Sequence, residues 1–177
     1  MKRFVSALII SLSVVSYLIA GDIHVGSWTI SKDVDEMSGE CSYYITSKSV
    51  RPLKPMHFPH WNVTANLVVE FDGNLEWIYL AFNTVPNLVG GELRDGYDEI
   101  GIRVRFDNSI EGITISHDWG SHFLYCEFPD FLLPKLVHSK TVLIELPWYG
   151  QGDVYFKFNL MGFSRALKKM KSMEICK

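Results

Sequence analysis

The stretch that most constrains this chain is Asn66 to Phe82, NLVVEFDGNLEWIYLAF. Two apolar runs flank Asp72-Gly73-Asn74, a turn composition that folds the chain back on itself as a β-hairpin. In the first run Leu67, Val69 and Phe71 point one way and Val68 and Glu70 the other. In the second, Ile78, Leu80 and Phe82 alternate with Trp77, Tyr79 and Ala81. The second strand is apolar on both sides, which predicts a position in the middle of a sheet covered above and below.

The amino terminus fixes the expected compartment. Met1 to Ala20 carries Lys2 and Arg3, then the apolar run FVSALIISLSVVSYLIA, and polarity returns abruptly at Gly21-Asp22. That order reads as a secretory signal peptide, residues 1–20. A membrane anchor needs ~20 apolar residues, and this run is marginal in length and broken by four serines and a tyrosine. No cysteine follows it to carry a lipoprotein anchor. Cleavage after Ala20 leaves residues 21–177, a length that suits one domain with a filled core. No second apolar stretch approaches spanning length, so the mature chain is not expected to span a membrane.

Charge excludes two partner classes. Removing Lys2 and Arg3 leaves 15 basic against 20 acidic side chains, a net charge of −5. Nucleic acid and anionic membrane surfaces call for concentrated positive charge. The dense basic run, Arg165 to Lys171, is accounted for as one face of a helix. Three cysteines remain, Cys41, Cys126 and Cys176. Export favours one disulfide and leaves one thiol over. Residue order leaves all three pairings open, although Cys176 at the chain end gains most from a staple.

Around the central hairpin the pattern is again mostly extended. His24 to Ile30 is β-rich, with Trp28 as a core anchor; Ser31 to Gly39 has the composition of an exposed turn, and Cys41 to Val50 alternates as a strand. Arg51 to Trp61, with three prolines, has no period and reads as an irregular connection. Asn83 to Tyr97 is a long glycine-containing loop. Glu99 to Phe106, EIGIRVRF, sets Ile100, Ile102, Val104 and Phe106 against Glu99, Gly101, Arg103 and Arg105, a half-wet strand that turns at Asp107-Asn108-Ser109 into Gly112 to Ser116. His122 to Glu127 is a further strand. Pro129 and Asp130 open a short helical segment, with Pro134 placed near its first turn. Thr141 to Leu146 and Asp153 to Leu160 flank a turn over Pro147 to Gly152 as a second hairpin. Phe163, Ala166, Leu167, Met170 and Met173 then recur at helical spacing, with Ser164 available as a cap. The expected fold is therefore mainly β: an antiparallel two-sheet β-sandwich with a short helix and a C-terminal amphipathic helix.

Residues with catalytic or ligating chemistry are present without the spacing such chemistry needs. Ser116-His117-Asp118 holds the residue types of a hydrolase triad, with Ser121-His122 close behind. Neighbours on a strand point to opposite faces, however, and no G-x-S-x-G elbow occurs. A hydrolase stays as a remote alternative that requires Ser116 or Ser121 beside a histidine in a cleft. Asp33, Asp35 and Glu36 miss the calcium-loop pattern, since Met37 and Ser38 fall where an oxygen donor and a glycine belong. His24, His57 and His60 have no clustered carboxylate or thiol to complete a metal site. No catalytic residue, metal or cofactor is expected. Trp61, Trp119, Trp148 and Tyr149 fall in or beside turns and form a possible stacking surface for a sugar or a partner, with packing at the rim of the core as the plainer account.

Several of these features occur in a familiar order. Trp28 is followed by Asp35, Met37 and Ser38; then come the central strand pair, Arg105-Phe106-Asp107, and a closing segment with Gly162, Ala166 and Cys176. This succession resembles the VasI/TagO-type proteins associated with bacterial type VI secretion, over most of the mature chain and with loose motifs. The resemblance implies a periplasmic or secreted β-rich accessory protein with no known catalytic role. The export signal, the single β domain and the missing catalytic motif point separately to action through contacts with a protein partner. It also bears on the disulfide. The family pattern places a cysteine at the end of the first central strand, where this chain has Phe71. Cys41, on the strand expected alongside, is the substitute, pairing with Cys176 and leaving Cys126 free. The alternative function is a secreted carbohydrate-binding module using the loop aromatics.

Overall fold

The computed structural model describes residues 21–72 and 76–173. The expected signal peptide, the Gly73-Asn74 turn and Cys176 lie outside the described residues. The strands are β1 (Ile23–Val25), β2 (Trp28–Val34), β3 (Cys41–Ser47), β4 (Ala65–Phe71), β5 (Glu76–Phe82), β6 (Glu92–Arg94), β7 (Tyr97–Phe106), β8 (Ser109–His117), β9 (Phe123–Cys126), β10 (Thr141–Trp148) and β11 (Gly152–Asn159). Two helices accompany them, α1 (Pro129–His138) and α2 (Phe163–Lys171). The class is the expected one: mainly β, antiparallel, with a short helix and a C-terminal helix.

The strands hydrogen-bond as one sheet in the order β1-β2-β3-β4-β5-β9-β8-β7-β10-β11, with β6 paired to β7 alone. The two layers of the sandwich thus belong to one sheet that curls over. Pro52 forms a bridge to Phe156, and the Leu53 N–H donates to the Tyr155 carbonyl at 2.8 Å. The connection after β3 therefore meets β11, the last strand of the order. Ring contacts repeat this closure across the core, since Phe82 on β5 lies 5.8 Å from Trp148 and 5.5 Å from Phe156.

The central hairpin forms in the register its alternation dictates, from Ala65↔Phe82 to Phe71↔Glu76. Leu67, Val69, Ile78 and Leu80 are buried in the core, and Val68 and Tyr79 are buried on the opposite face. β5 is central in the sheet, flanked by β4 and by β9, which pairs with it through Tyr79↔Tyr125, Leu80↔Leu124 and Ala81↔Phe123, but it is not covered above and below as expected, since Trp77 on its outer face is 43% exposed. β9 has only four residues. Beyond Cys126 the sheet parts between β5 and β8, and α1 fills the opening with Leu132, Leu133 and Leu136. Among the described residues no helix is long and apolar enough to cross a membrane.

Several local expectations change. His24 to Ile30 is two strands joined at Gly26-Ser27, and the stretch expected as a turn from Ser31 is strand as far as Val34. The turn proper is held by Asp35, whose carboxylate accepts the Met37 N–H at 2.7 Å and the Ser38 N–H at 3.2 Å. The loop after β5 contains β6. Pro134 lies inside α1 rather than in its first turn, while Pro129 occupies the opening position. Gly162, not Ser164, precedes α2, in the left-handed region at φ 92°. β10 runs on through Pro147 to Trp148, where the expected turn begins, because Pro147 and Trp148 still pair with Asp153 and Gly152.

Candidate functional site

The outward face of the curled sheet is not uniformly wet. Cross-strand register lines up Thr46, Val68, Tyr79, Tyr125, Ser116 and Glu99 in one row across β3, β4, β5, β9, β8 and β7. A second row sets Tyr44 beside Glu70 and Glu70 beside Trp77. Residues opposite each other in an antiparallel ladder share a face and lie within side-chain reach. Four aromatics therefore meet here: Tyr79 lies 5.5 Å from Phe123 and 5.2 Å from Tyr125, and Trp77 meets Tyr125 edge-on at 6.1 Å.

Above this floor lies an open groove of about 870 Å³. Trp77, Tyr97, Tyr125 and Phe128 supply its aromatic lining, with Glu70, Glu76, Asp95, Glu99, Asp118 and Glu127 as its acids and Arg94 as its cation. β6 and the turn after it form one wall, and the segment from Glu127 to Pro129, entering α1, forms another. Phe128 is 72% exposed and sits at φ 59°. That left-handed backbone is uncommon for a bulky side chain.

Electrostatics in the groove are one-sided. Arg94 lies 3.3 Å from Glu92 and 3.5 Å from Glu99, so its charge is already matched. Glu76 is paired with Lys171 on α2 at 3.1 Å. Among the described residues no cation pairs with Glu70, Asp95, Asp118 or Glu127. Glu70 stands opposite Tyr44 in register and close to the Tyr79 phenol. Burial, and then the Glu70 charge beside it, push the Tyr79 phenol well above the usual tyrosine range, and Tyr44 moves the same way for the same causes. Both phenols therefore stay protonated at neutral pH.

A second trough, about 700 Å³, adjoins the first at Glu127 and Phe128. Its floor is the outward face of β7 and β8, where Gly101 opposes Thr114 and Gly112 opposes Arg103. A Cβ at either glycine would meet nothing within 4 Å. Arg103 is turned aside by a two-pronged pair with Glu145 on β10, at 2.8 and 2.6 Å.

The aromatics expected as a binding surface divide. Trp119 is 90% exposed, and Trp61 and Tyr149 are exposed as well. Trp148 is not a surface residue: it is 1% exposed, packed against Phe82, Phe156 and the ring of His60. The continuation of β10 turns its side chain inward, which corrects its assignment to a binding surface. Hydrogen bonds tie the loops of the other three together. The His57 N–H reaches Gln151 at 2.8 Å, Asn83 Nδ2 reaches the Asn62 carbonyl at 3.0 Å, and the Phe82 N–H reaches the His122 carbonyl at 2.9 Å.

The triad-like residues are also separated. His117 is buried and its Nε2 meets the Ser121 carbonyl at 3.1 Å, while the Ser121 hydroxyl accepts the Phe123 N–H at 3.1 Å. Ser116 faces the opposite way, into the groove. His24 pairs with Thr29, and His122 Nδ1 lies 3.1 Å from the Phe82 carbonyl. Among the described residues no group of three or more His, Cys, Asp or Glu side chains is arranged to hold a metal ion. Cys126 is a buried free thiol.

Sequence reasoning missed the groove because no single segment announces it. Its lining comes from six strands and the start of α1, and only the outward partners of the central hairpin, Glu70, Trp77 and Tyr79, carried a signal: they are too large and too varied for an ordinary solvated face. Together, fold and groove define a curled antiparallel β protein with an acidic, aromatic trough on its outer face. No family model, no curated protein and no solved structure matches the chain.

Proposed function

We propose that this chain is an exported, non-catalytic accessory protein that works by holding a partner in the groove over β5, β9, β8 and β7. The observation that carries the reading is the groove itself, in which exposed aromatics surround carboxylates, four of which, Glu70, Asp95, Asp118 and Glu127, have no cation among the described residues. A large open concavity with a few fixed polar groups is the usual form of a recognition site. Export is supported by the pattern of residues 1–20. A staple between Cys41 and Cys176 fits an oxidising compartment, and the surroundings of Cys41 support that pairing. Lys171, near the end of α2, reaches Glu76 and lies over the Phe71 ring at 5.3 Å; Phe71 pairs with Tyr43, two residues from Cys41. The likeness to VasI/TagO-type proteins is what links the partner to type VI secretion.

The test is site-specific crosslinking in the native host. A benzophenone side chain in place of Tyr97 should yield a discrete adduct, and the same group in place of Glu36, on the β2–β3 turn, should not. Equal labelling at both positions, or none at position 97, overturns the reading. A second reading, sugar binding, is favoured by the three exposed loop aromatics. It requires glycan binding that is lost in Trp119→Ala or Trp61→Ala.

A further inference from the structure

The chemistry of the groove identifies its occupant more closely, on the reading that the groove is the binding site. We infer that it receives an extended, lysine- or arginine-bearing segment of a partner protein, its cations lodged against Glu70 and Glu127 and its main chain running over the glycine floor of β7 and β8. Charge complementarity is the first ground. Glu70, Asp95, Asp118 and Glu127 have no cation among the described residues, and the groove's Arg94 is matched by Glu92 and Glu99. A basic ligand supplies what these carboxylates lack, whereas an acidic one meets repulsion along the trough.

The aromatic lining is the second ground. Trp77 stands opposite Glu70 in register, and Tyr125 joins it edge-on. A guanidinium or ammonium brought to Glu70 thus lies beside aromatic faces that attract cations.

Shape is the third ground. The two troughs meet at Glu127 and Phe128, and both are open, which suits a chain that enters and leaves rather than a small molecule enclosed. Gly101 and Gly112 present bare backbone where side chains would otherwise stand. A main chain can therefore approach the sheet closely.

The experiment uses the mature chain, residues 21–177, and a fluorescent decapeptide of alternating arginine and serine, read by anisotropy. Saturable binding should weaken about tenfold in Glu70→Gln, the loss of one close charge pair, and by a similar factor in Trp77→Ala. Binding should also fall as salt rises. Glu36→Gln, a carboxylate far from the groove, should leave it unchanged. Gly101→Arg, which fills the second trough without demanding a positive φ, should also weaken it. Equal affinity in Glu70→Gln and Glu36→Gln would reveal diffuse attraction to a net-negative protein and overturn the inference, as would no binding at all. Binding of a neutral hexasaccharide lost in Trp77→Ala, with the basic peptide unbound, would discard the cationic occupant and leave the groove as the site. Crosslinks absent from position 97 would remove the site itself.

Discussion

The indole of Trp28 and the ring of Phe163 meet at 4.9 Å with their planes tilted by 53°, joining the start of β2 to the first residue of α2. Gly162 makes the approach possible. A Cβ there would lie 3.3 Å from the Val25 carbonyl and 3.7 Å from Trp28 Cδ1, at a backbone φ of 92°. Gly162→Ala should therefore destabilise the protein by about 1–3 kcal/mol through strain. Phe163→Ala should cost about 3–5 kcal/mol through the cavity it leaves. Urea denaturation midpoints at constant m-value check both, and unchanged midpoints would show that α2 is docked by other contacts.

Asp107 governs a different junction. Its carboxylate accepts the Lys140 N–H at 3.1 and 3.0 Å, the Thr141 N–H at 2.9 Å and the Thr141 hydroxyl at 3.2 Å, fastening the β7–β8 turn to the start of β10. These bonds, the Lys140 N–H foremost, hold its pKa below the usual carboxylate value. A folded pKa below the unfolded one contributes stability above the unfolded value, near 3.9, that is lost as pH falls through the folded value. Asp35 and Glu111 shift in the same direction, through backbone hydrogen bonds and the Lys135 contact respectively. Thermal midpoints should be flat from neutral pH to about pH 5 and fall below it, with a shallower fall in Asp107→Asn. Identical profiles for the two proteins would contradict this role.

Cys126 is expected to be chemically silent in the folded protein. Burial pushes its thiol pKa up to about 12, so almost no thiolate is present at neutral pH. Ellman's reagent should find no reactive thiol under native conditions and one per chain in guanidinium without reductant. A non-reducing peptide map should recover Cys41 linked to Cys176. Two or three thiols in the denatured, unreduced protein would rule out that staple.

The expected surface aromatics should separate cleanly by stability. Trp148→Ala removes a buried ring in contact with Phe82 and Phe156 and should cost about 3–5 kcal/mol. Trp119→Ala, at a loop tip, should stay within about 0.5 kcal/mol of the parent. Equal costs would mean that Trp119 packs in solution.

Local pattern made the pairing units readable. Asn66 to Phe82 specified its own register because shifting it by one residue would send Leu67, Val69, Ile78 and Leu80 outward. Ile100, Ile102, Val104 and Phe106 marked one buried face of β7, and Phe163, Ala166, Leu167 and Met170 the buried stripe of α2. Long-range order was not readable in the same way. That β9 stands between β5 and β8 depends on pairing Tyr79 with Tyr125 and Ser116 with Tyr125 across many residues, and alternation within a strand carries no address for its neighbour. Trp148 was misplaced because Pro147 looks like the start of a turn, yet the missing N–H of a proline is tolerated in a strand where no ladder partner needs it. The groove followed from the strand order and was hidden with it.

The seam at Pro52 and Phe156 has a consequence for behaviour in a crowded solution. Sheets with free margins invite further strands from neighbouring molecules. Here β11 meets the chain's own connection on its outer side, a proline there offers no donor to a newcomer, and the opposite margin, β1, is three residues long. A strand from another copy therefore finds part of one margin already occupied and the other short.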